Sequence, residues 1–456
     1  MPTRRHFGRS EKSHNATKKP IAHRLRRFEM TTTTPTASRR AIFAWAMYDF
    51  ANSGYTTVVL TAIYNAYFVG VIAAGAHAGR ETLLWTVAMA IANFIVLITA
   101  PVIGAIADTK ATKKLFLAVT TIGCVLFTGL LGFAGPGEVA LAMTFVIGAS
   151  IMFAAGENLI AAFLPELVPA ERVGRVSGYG WSLGYVGGLL VLAACLAYIR
   201  FAEAQGASAA QYVPVTLWIT ATVFGLAALV TFAWLPETAR PQPAPAGGYV
   251  RAGFARVRAT LKRARHYKDL FRFLITLAVY YCGINTVVVL AAIYAQQEMG
   301  FGMQQTILLI VVVNITAALG AFGFGHVQDW IGSVRTLMLV LLIWAATLLL
   351  AYVIESVAWF WLVANLVGLA LGASQSAGRA LIALFAPRER AAEFFGLWGL
   401  AGKTAAIVGP LSYGLVTYLS HGNHRLALLA TAGFFVAGMV LLAGVDEARG
   451  RVAAQA

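Results

Sequence analysis

Four charged residues lie inside long apolar stretches of the chain: Asp49, Glu157, Arg379 and Lys403. An ionised side chain at bilayer depth costs roughly 3 kcal/mol on insertion scales and more by simulation, so it persists where it faces a cavity or a partner. Counted from the nearest end of its stretch on the expected cytoplasmic side, each sits about five to eight residues in, or about 8–12 Å. Two carboxylates and two cations at one depth suit salt bridges across an interface, or recognition of a zwitterion. Arg379 also suits snorkelling toward the headgroups. Asp49 is too short for that, which makes it the first candidate for a functional carboxylate and Glu157 the second.

Asp49 belongs to a polar series. Asn52, Ser53 and Thr56 follow it at steps that share one helical face, which Tyr64 and Tyr67 would continue. Tyr281, Asn285 and Thr286 repeat the pattern later in the chain. Such a face is expected to look into a polar cavity. The alternative, hydrogen bonding between helices, is worth only about 0.6 kcal/mol per pair. Asn158 and Gln375 are further candidates for the pathway, and Asn314 suits a structural role equally well. Trp181 and Tyr185 are cavity candidates set among Gly180, Gly184, Gly187 and Gly188, glycines that suit close helix packing.

The elements that must hold these residues are membrane helices. Of 456 residues, 59% are hydrophobic and 12% charged, half the charge of a soluble domain. Apolar runs of bridging length fall at 41–74, 83–107, 115–134, 139–164, 178–199, 214–235, 270–295, 305–328, 336–354, 358–385, 395–419 and 426–445. The pattern predicts an all-α integral membrane protein of about twelve helices in two six-helix bundles, at 41–235 and 270–445. A linker (236–269) joins them, with tails at 1–40 and 446–456. The net charge of +16 would suggest nucleic acid in a soluble chain, but its placement is topological. With the N-terminus inside, only Arg80, Arg200 and Arg425 of the basic residues reach the outer loops, which puts both termini and the linker in the cytoplasm. Contact with anionic lipid is the second use of that charge.

The linker begins with a breaker-rich Pro236-Glu-Thr-Ala-Arg-Pro-Gln-Pro-Ala-Pro. Its second part, 250–268, interleaves Arg251, Arg256, Arg258, Lys262, Arg263 and Arg265 with Phe254, Val257 and Leu261. That spacing predicts a short basic amphipathic helix on the inner leaflet or a plain topological connector. Residues 1–29 read as an upstream extension or a disordered basic tail, Met30 lying closer to the first span. Cys124, Cys195 and Cys282 stand alone, and only His326 of the histidines approaches a span, so neither a disulfide framework nor a metal or haem site is expected. With no Walker A loop, HExxH or nucleophile–base cluster, ATP drive and a membrane enzyme are not indicated.

The halves echo one another. Tyr48-Asp49-x-x-Asn52-Ser53 answers Tyr281-Cys282-x-x-Asn285-Thr286, and Gly104-x-x-x-Asp108 with Lys113 and Lys114 answers Gly325-x-x-x-Asp329 with Arg335. Gly178 and Gly184 answer Gly396 and Gly402. Parallel repeats of six spans imply alternating access about a central site. In the Gly104 loop, glycine would let a neighbouring helix approach, Asp108 would pair with a basic residue, and the lysines would anchor the turn. This loop resembles the signature between spans 2 and 3 of major facilitators, which implies that it and its Gly325–Asp329–Arg335 counterpart are gate candidates, the alternative being a charged turn that follows the positive-inside rule.

Tyr48-Asp-Phe-Ala-Asn-Ser, Phe163-Leu-Pro-Glu-Leu167, Ser177-Gly-Tyr-Gly-Trp-Ser-Leu-Gly-Tyr-Val-Gly-Gly188, Gly283-Ile-Asn-Thr286 and Glu393-Phe-Phe-Gly396 resemble the vacuole-effluxer-like branch of the major facilitator superfamily. The resemblance runs from Ala41 to Glu447. It implies a secondary transporter and, through the branch's fungal autophagy-related effluxers, an amino acid as the best single guess for a small polar solute. Proton coupling through Asp49 or Glu157 is expected, with Na⁺ coupling and uncoupled facilitation as alternatives, and no cofactor. Two departures bear on coupling: Cys282 stands where such proteins often have Asp, and Gln375-Ser-Ala-Gly-Arg379 replaces Gln-x-x-Ser-Arg. A lipid flippase or scramblase of the same fold is the alternative. No luminal domain marks a vacuole, so the expected location is a bacterial inner membrane. Reporter fusions test the topology: a reporter within 236–269 should report the cytoplasm, and an external signal there would overturn the assignment.

Overall fold

The computed structural model describes residues 38–75, 78–168, 170–237, 241–245, 247–386 and 391–455. The N-terminal extension up to residue 37, the surroundings of Gly178 and the side chain of Asp329 lie outside what is described. No strand occurs among the described residues, and twelve helices there are long and apolar enough to span a membrane. They are α1 (Arg39–Ile72), α2 (Arg80–Lys110), α3 (Lys113–Leu131), α4 (Val139–Ala161), α5 (Ala170–Ala204) and α6 (Ala209–Trp234), then α7 (Lys268–Met299), α8 (Met303–Ile331), α9 (Ser333–Val353), α10 (Val357–Phe385), α11 (Ala391–Leu419) and α12 (His424–Leu442). A helix at Gly248–Ala264 lies in the linker and another at Glu447–Gln455 closes the chain.

Local chemistry sets the helix ends. Ser38 Oγ accepts from Ala41 N at the start of α1, Ser208 and Gln211 form a capping box before α6, and Asn423 accepts from Leu426 N before α12. Helices outrun the apolar windows for this reason: α6 begins five residues before Pro214. Hydrophobicity marks the membrane-embedded part of a helix, whereas caps mark its ends.

The first helix departs from the expected phase. Residues Tyr55–Ala62 and Phe68–Ile72 are π-helical, with Ile63 N bonded to Val58 O and Ala73 N to Phe68 O. These wider turns rotate everything beyond them. Tyr64 and Tyr67, expected on the cavity face with Asp49, are instead buried in the aromatic core of the first half.

Glycines set the separations within each half, and they do so twice. A Cβ on Gly187 of α5 would lie 2.2 Å from Phe50 O of α1, and one on Gly409 of α11 would lie 2.1 Å from Cys282 O of α7. Gly156 of α4 meets the Tyr48 hydroxyl at 2.5 Å, and Gly378 of α10 meets that of Tyr280 at 2.7 Å. The α5 glycines therefore serve close packing. The repeat also corrects the expected register by one residue: Tyr48 corresponds to Tyr280, and Asp49 to Tyr281. Ser53 then corresponds to Asn285, and both donate to the carbonyl four residues back, Asp49 O and Tyr281 O.

The halves close on the side away from the linker. There Asn65 Nδ2 donates to Val289 O (2.9 Å), Gln304 Nε2 to Glu203 Oε2 (2.5 Å), and Gly414 and Gly79 pack against Thr86 and Thr417. Buried apolar residues of α7, α8, α11 and α12 join the first half's core at this end. On the linker side α4 and α5 make no comparable backbone contact with α10 and α11 among the described residues. This conformation is open toward the linker.

Two non-glycine residues among those described, Ala111 and His421, lie in the left-handed region. Ala111, after α2, has φ +54°, in the left-handed region that costs a non-glycine residue roughly 1–2 kcal/mol. Ala111→Gly should raise the thermal midpoint of the purified protein. A lowered midpoint would show that the alanine methyl contributes more by packing than its backbone costs.

Candidate functional site

Three of the four membrane-depth charges make two cross-contacts between the halves, and the fourth, Asp49, lies beside one of them. Glu157 on α4 interacts electrostatically with Lys403 on α11. Arg379 on α10 lies over the ring of Trp181 on α5, 5.5 Å from its centroid. The two contacts are related by the internal repeat. One sequence offset carries Gly156 to Gly378, Glu157 to Arg379, Trp181 to Lys403 and Gly187 to Gly409. Each half thus offers one α4-type and one α5-type residue to its opposite, with charge on both sides of one contact and a cation on an aromatic face in the other.

Glu157 is also tied to its own half. Asn52 Nδ2 donates to its Oε1, so the polar face of α1 reaches the interface through that amide. Asp49 lies one turn back, with its Oδ2 only 2.2 Å from where a Cβ on Gly180 would be. Only glycine leaves room for the carboxylate against α5. Among the described residues no hydrogen bond or ion pair reaches the Asp49 carboxylate, and its charged neighbour is Glu157. The expected salt bridge from Asp49 to Arg379 or Lys403 is not formed: Lys403 faces Glu157, and Asp49 is turned toward α5. The Arg379 guanidinium likewise has no ion pair among the described residues; Tyr185 and Tyr281 are its polar neighbours. Tyr281 donates to Gln375 Oε1 at 3.1 Å, which joins both to this wall.

Other candidates separate from the cluster. Ser53 and Asn285 spend their donors on their own helices, as does Asn314 on Ile310 O. Asn158 is exposed beside Glu157. Trp181 and Tyr185 are half-exposed, with rings 6.0 Å apart, and line the opening on the linker side. Two cavities lie elsewhere, one apolar inside the second half and one between the halves at the closed end.

The candidate gate loop is built of ion pairs within the first half and the linker. Lys113, whose side chain is 8% exposed, binds Asp108 Oδ1 at 2.9 Å and also Glu166. Arg256 of the linker helix reaches Asp108 Oδ2 at 3.1 Å, but at 66% exposure that contact is worth at most about 1 kcal/mol. Lys114 N is capped by Glu237 Oε2 (2.8 Å), and the second half repeats this cap with Glu447 Oε2 on Val334 N (2.9 Å). Arg335 is exposed at the matching place. The expected close approach of a helix at Gly104 and Gly325 is absent: among the described residues a Cβ at either would meet nothing within 4 Å, because the linker-side ends are splayed.

His424 also reaches a span, against the expectation that only His326 does, since it begins α12. It is buried at the closed end, with Nδ1 3.0 Å from the Tyr413 hydroxyl and Glu298 nearby. No spacing signal marks it, since its partners come from α7 and α11.

Comparison with known proteins agrees with this architecture. The profile of the family described as vacuole effluxer Atg22 like matches residues 82–455. The chain belongs to that family. An uncharacterised MFS-type transporter of Bacillus subtilis, YxiO, is 29% identical over 409 residues, covering 89% of this chain and 94% of that protein. Autophagy-related protein 22 of Kluyveromyces lactis is 25% identical over 319 residues, covering 65% and 64%. Among solved structures, a mutant of the nucleoside transporter NupG aligns with TM-score 0.68 at 12% identity, over 89% of this chain and 99% of that one. A D-xylose-proton symporter aligns with TM-score 0.64 at 14%, over 90% and 99%. At such identities these two share the fold alone. The protein is a multi-pass membrane transporter of the major facilitator type.

The glycine seam that positions Asp49 makes a graded prediction. Gly187→Ala forces a methyl onto a backbone carbonyl and should destabilise by about 1–3 kcal/mol, whereas Gly104→Ala should leave stability unchanged. Equal thermal midpoints for the two variants would contradict the seam.

Proposed function

We propose that this transporter moves a zwitterionic amino acid between its halves, in exchange for protons. The observation that supports it most is a pair of opposite charges without ion partners among the described residues: Asp49 on the wall of the first half and Arg379 on that of the second. A solute carrying an ammonium and a carboxylate supplies what each lacks, with Trp181 and Tyr185 as an apolar wall for its side chain. Charge complementarity of this kind selects the solute class and rejects neutral sugars.

Proton coupling follows from Asp49 standing beside Glu157. Two neighbouring carboxylates in a low-dielectric site give a place for one proton, since both ionising at once is costly. A proton on this pair and a substrate ammonium compete for the same negative charge, which is the condition for exchange. Asn52 and Lys403 hold Glu157, so the exchangeable member is Asp49.

In this account residues 41–235 and 270–445 rock against each other about the site, joined by 236–269. The linker and both termini face the cytoplasm, and the membrane is a bacterial inner membrane. Asp108, Lys113, Lys114 and Gly104, with Gly325, Asp329 and Arg335, form the cytoplasmic gate. Closing it brings a neighbouring helix into the empty space over Gly104.

Asp49→Asn tests the coupling. Asparagine keeps the shape but does not titrate, so proteoliposomes of this variant should lose amino-acid uptake or efflux driven by a pH gradient while the protein remains folded and monodisperse. Wild-type transport with unchanged pH dependence would remove Asp49 from the mechanism.

A further inference from the structure

The linker helix, Gly248–Ala264, has three faces of different chemistry. Gly253, Thr260 and Ala264 are buried against the protein, and a Cβ on Gly253 would lie 2.5 Å from Pro101 O of α2. On the adjoining stripe Val250, Phe254 and Leu261 are 60%, 43% and 38% exposed, all at one angular position on the helix. Next to that stripe run Arg251, Arg258 and Lys262, all exposed, and the helix contains no acidic residue. The expected inner-leaflet helix is therefore present, but it is seated on the protein along one edge.

Its seat is between moving parts. Besides α2, the helix touches α11 and α7 of the second half, on the side where the halves stand apart. Arg256 adds its pair with Asp108, and Lys110 lies over the Tyr249 ring at 5.8 Å. The helices α2 and α11 are already packed together, meeting at the closed end, so a helix seated against both opposes only a further approach of their linker-side ends.

We propose that the Val250–Phe254–Leu261 stripe docks on an anionic membrane leaflet, and that the docked helix acts as a wedge holding the linker side open. An apolar stripe bordered by cations fits the boundary between acyl chains and negative headgroups. Each basic residue near such a surface adds an attraction that salt screens. The docking half of the proposal stands apart from the transport reading; the wedge rests on alternating access and has its own readout.

The test uses the full chain in nanodiscs of phosphatidylcholine alone or with phosphatidylglycerol, followed by amide hydrogen exchange of residues 248–264. Phosphatidylglycerol should slow exchange of this helix by about a hundredfold, from three basic groups acting together, and high salt should reverse the effect. The triple variant Arg251→Gln, Arg258→Gln, Lys262→Gln should show no response to lipid charge. Exchange indifferent to phosphatidylglycerol in the wild type would overturn the docking. So would equal protection by soluble polyphosphate in neutral nanodiscs, which would assign the face to a free polyanion. For the wedge, a cysteine reporter (Gly104→Cys) should label faster from the linker side in phosphatidylglycerol discs. Protection of the helix without faster labelling would leave a membrane anchor and overturn the wedge.

Discussion

Charge at membrane depth is the constraint on which this molecule is organised. Asp49, Glu157, Arg379 and Lys403 each cost free energy where they stand, and the fold offsets that cost only in part. Glu157 is tied to Asn52 and faces Lys403, while Arg379 rests on an aromatic ring. Asp49 is left to a glycine surface and a second carboxylate. A fully satisfied network would lock the halves together; an incomplete one leaves a deficit that a solute can fill. In the proposed function the missing partners are the working part of the site.

The scaffold that holds these charges is nearly symmetric, and the charges are not. The same glycine approaches recur in both halves, as does the carboxylate cap on α3 and α9. Onto that repeat the chain places Glu157 against Arg379's position, and Trp181 against that of Lys403. Because α4 meets α11 and α10 meets α5, two symmetry-related contacts become chemically distinct. One is an electrostatic attraction between Glu157 and Lys403 across the interface and the other a cation on indole.

Much of the architecture is written in the sequence because lipid leaves few choices. Twelve apolar stretches must become helices, and an isolated Asp49 must look inward. What escaped depends on geometry that composition does not carry. Tyr64 and Tyr67 left the polar face because π-helical turns shifted the phase of α1, and nothing in Tyr55–Ala62 announces them. The one-residue error between Tyr48 and Tyr281 arose from matching letters, whereas the fold matches the positions that meet Gly156 and Gly378. Gly104 was expected to meet a neighbouring helix, yet nothing among the described residues lies within 4 Å of a Cβ placed there. The partners of Asp49 could not be chosen from depth alone, since four charges at one level allow several pairings.

The central claim is that one solute bridges the unpaired charges of the two halves. Titration calorimetry on the purified full chain tests it most directly, comparing an amino acid with its methyl ester and with its des-amino acid. The account predicts that the zwitterion binds and that deleting either charge weakens binding by about a hundredfold, the cost of leaving one buried charge unmatched. Equal affinity for the amino acid and both single-charge analogues would contradict it.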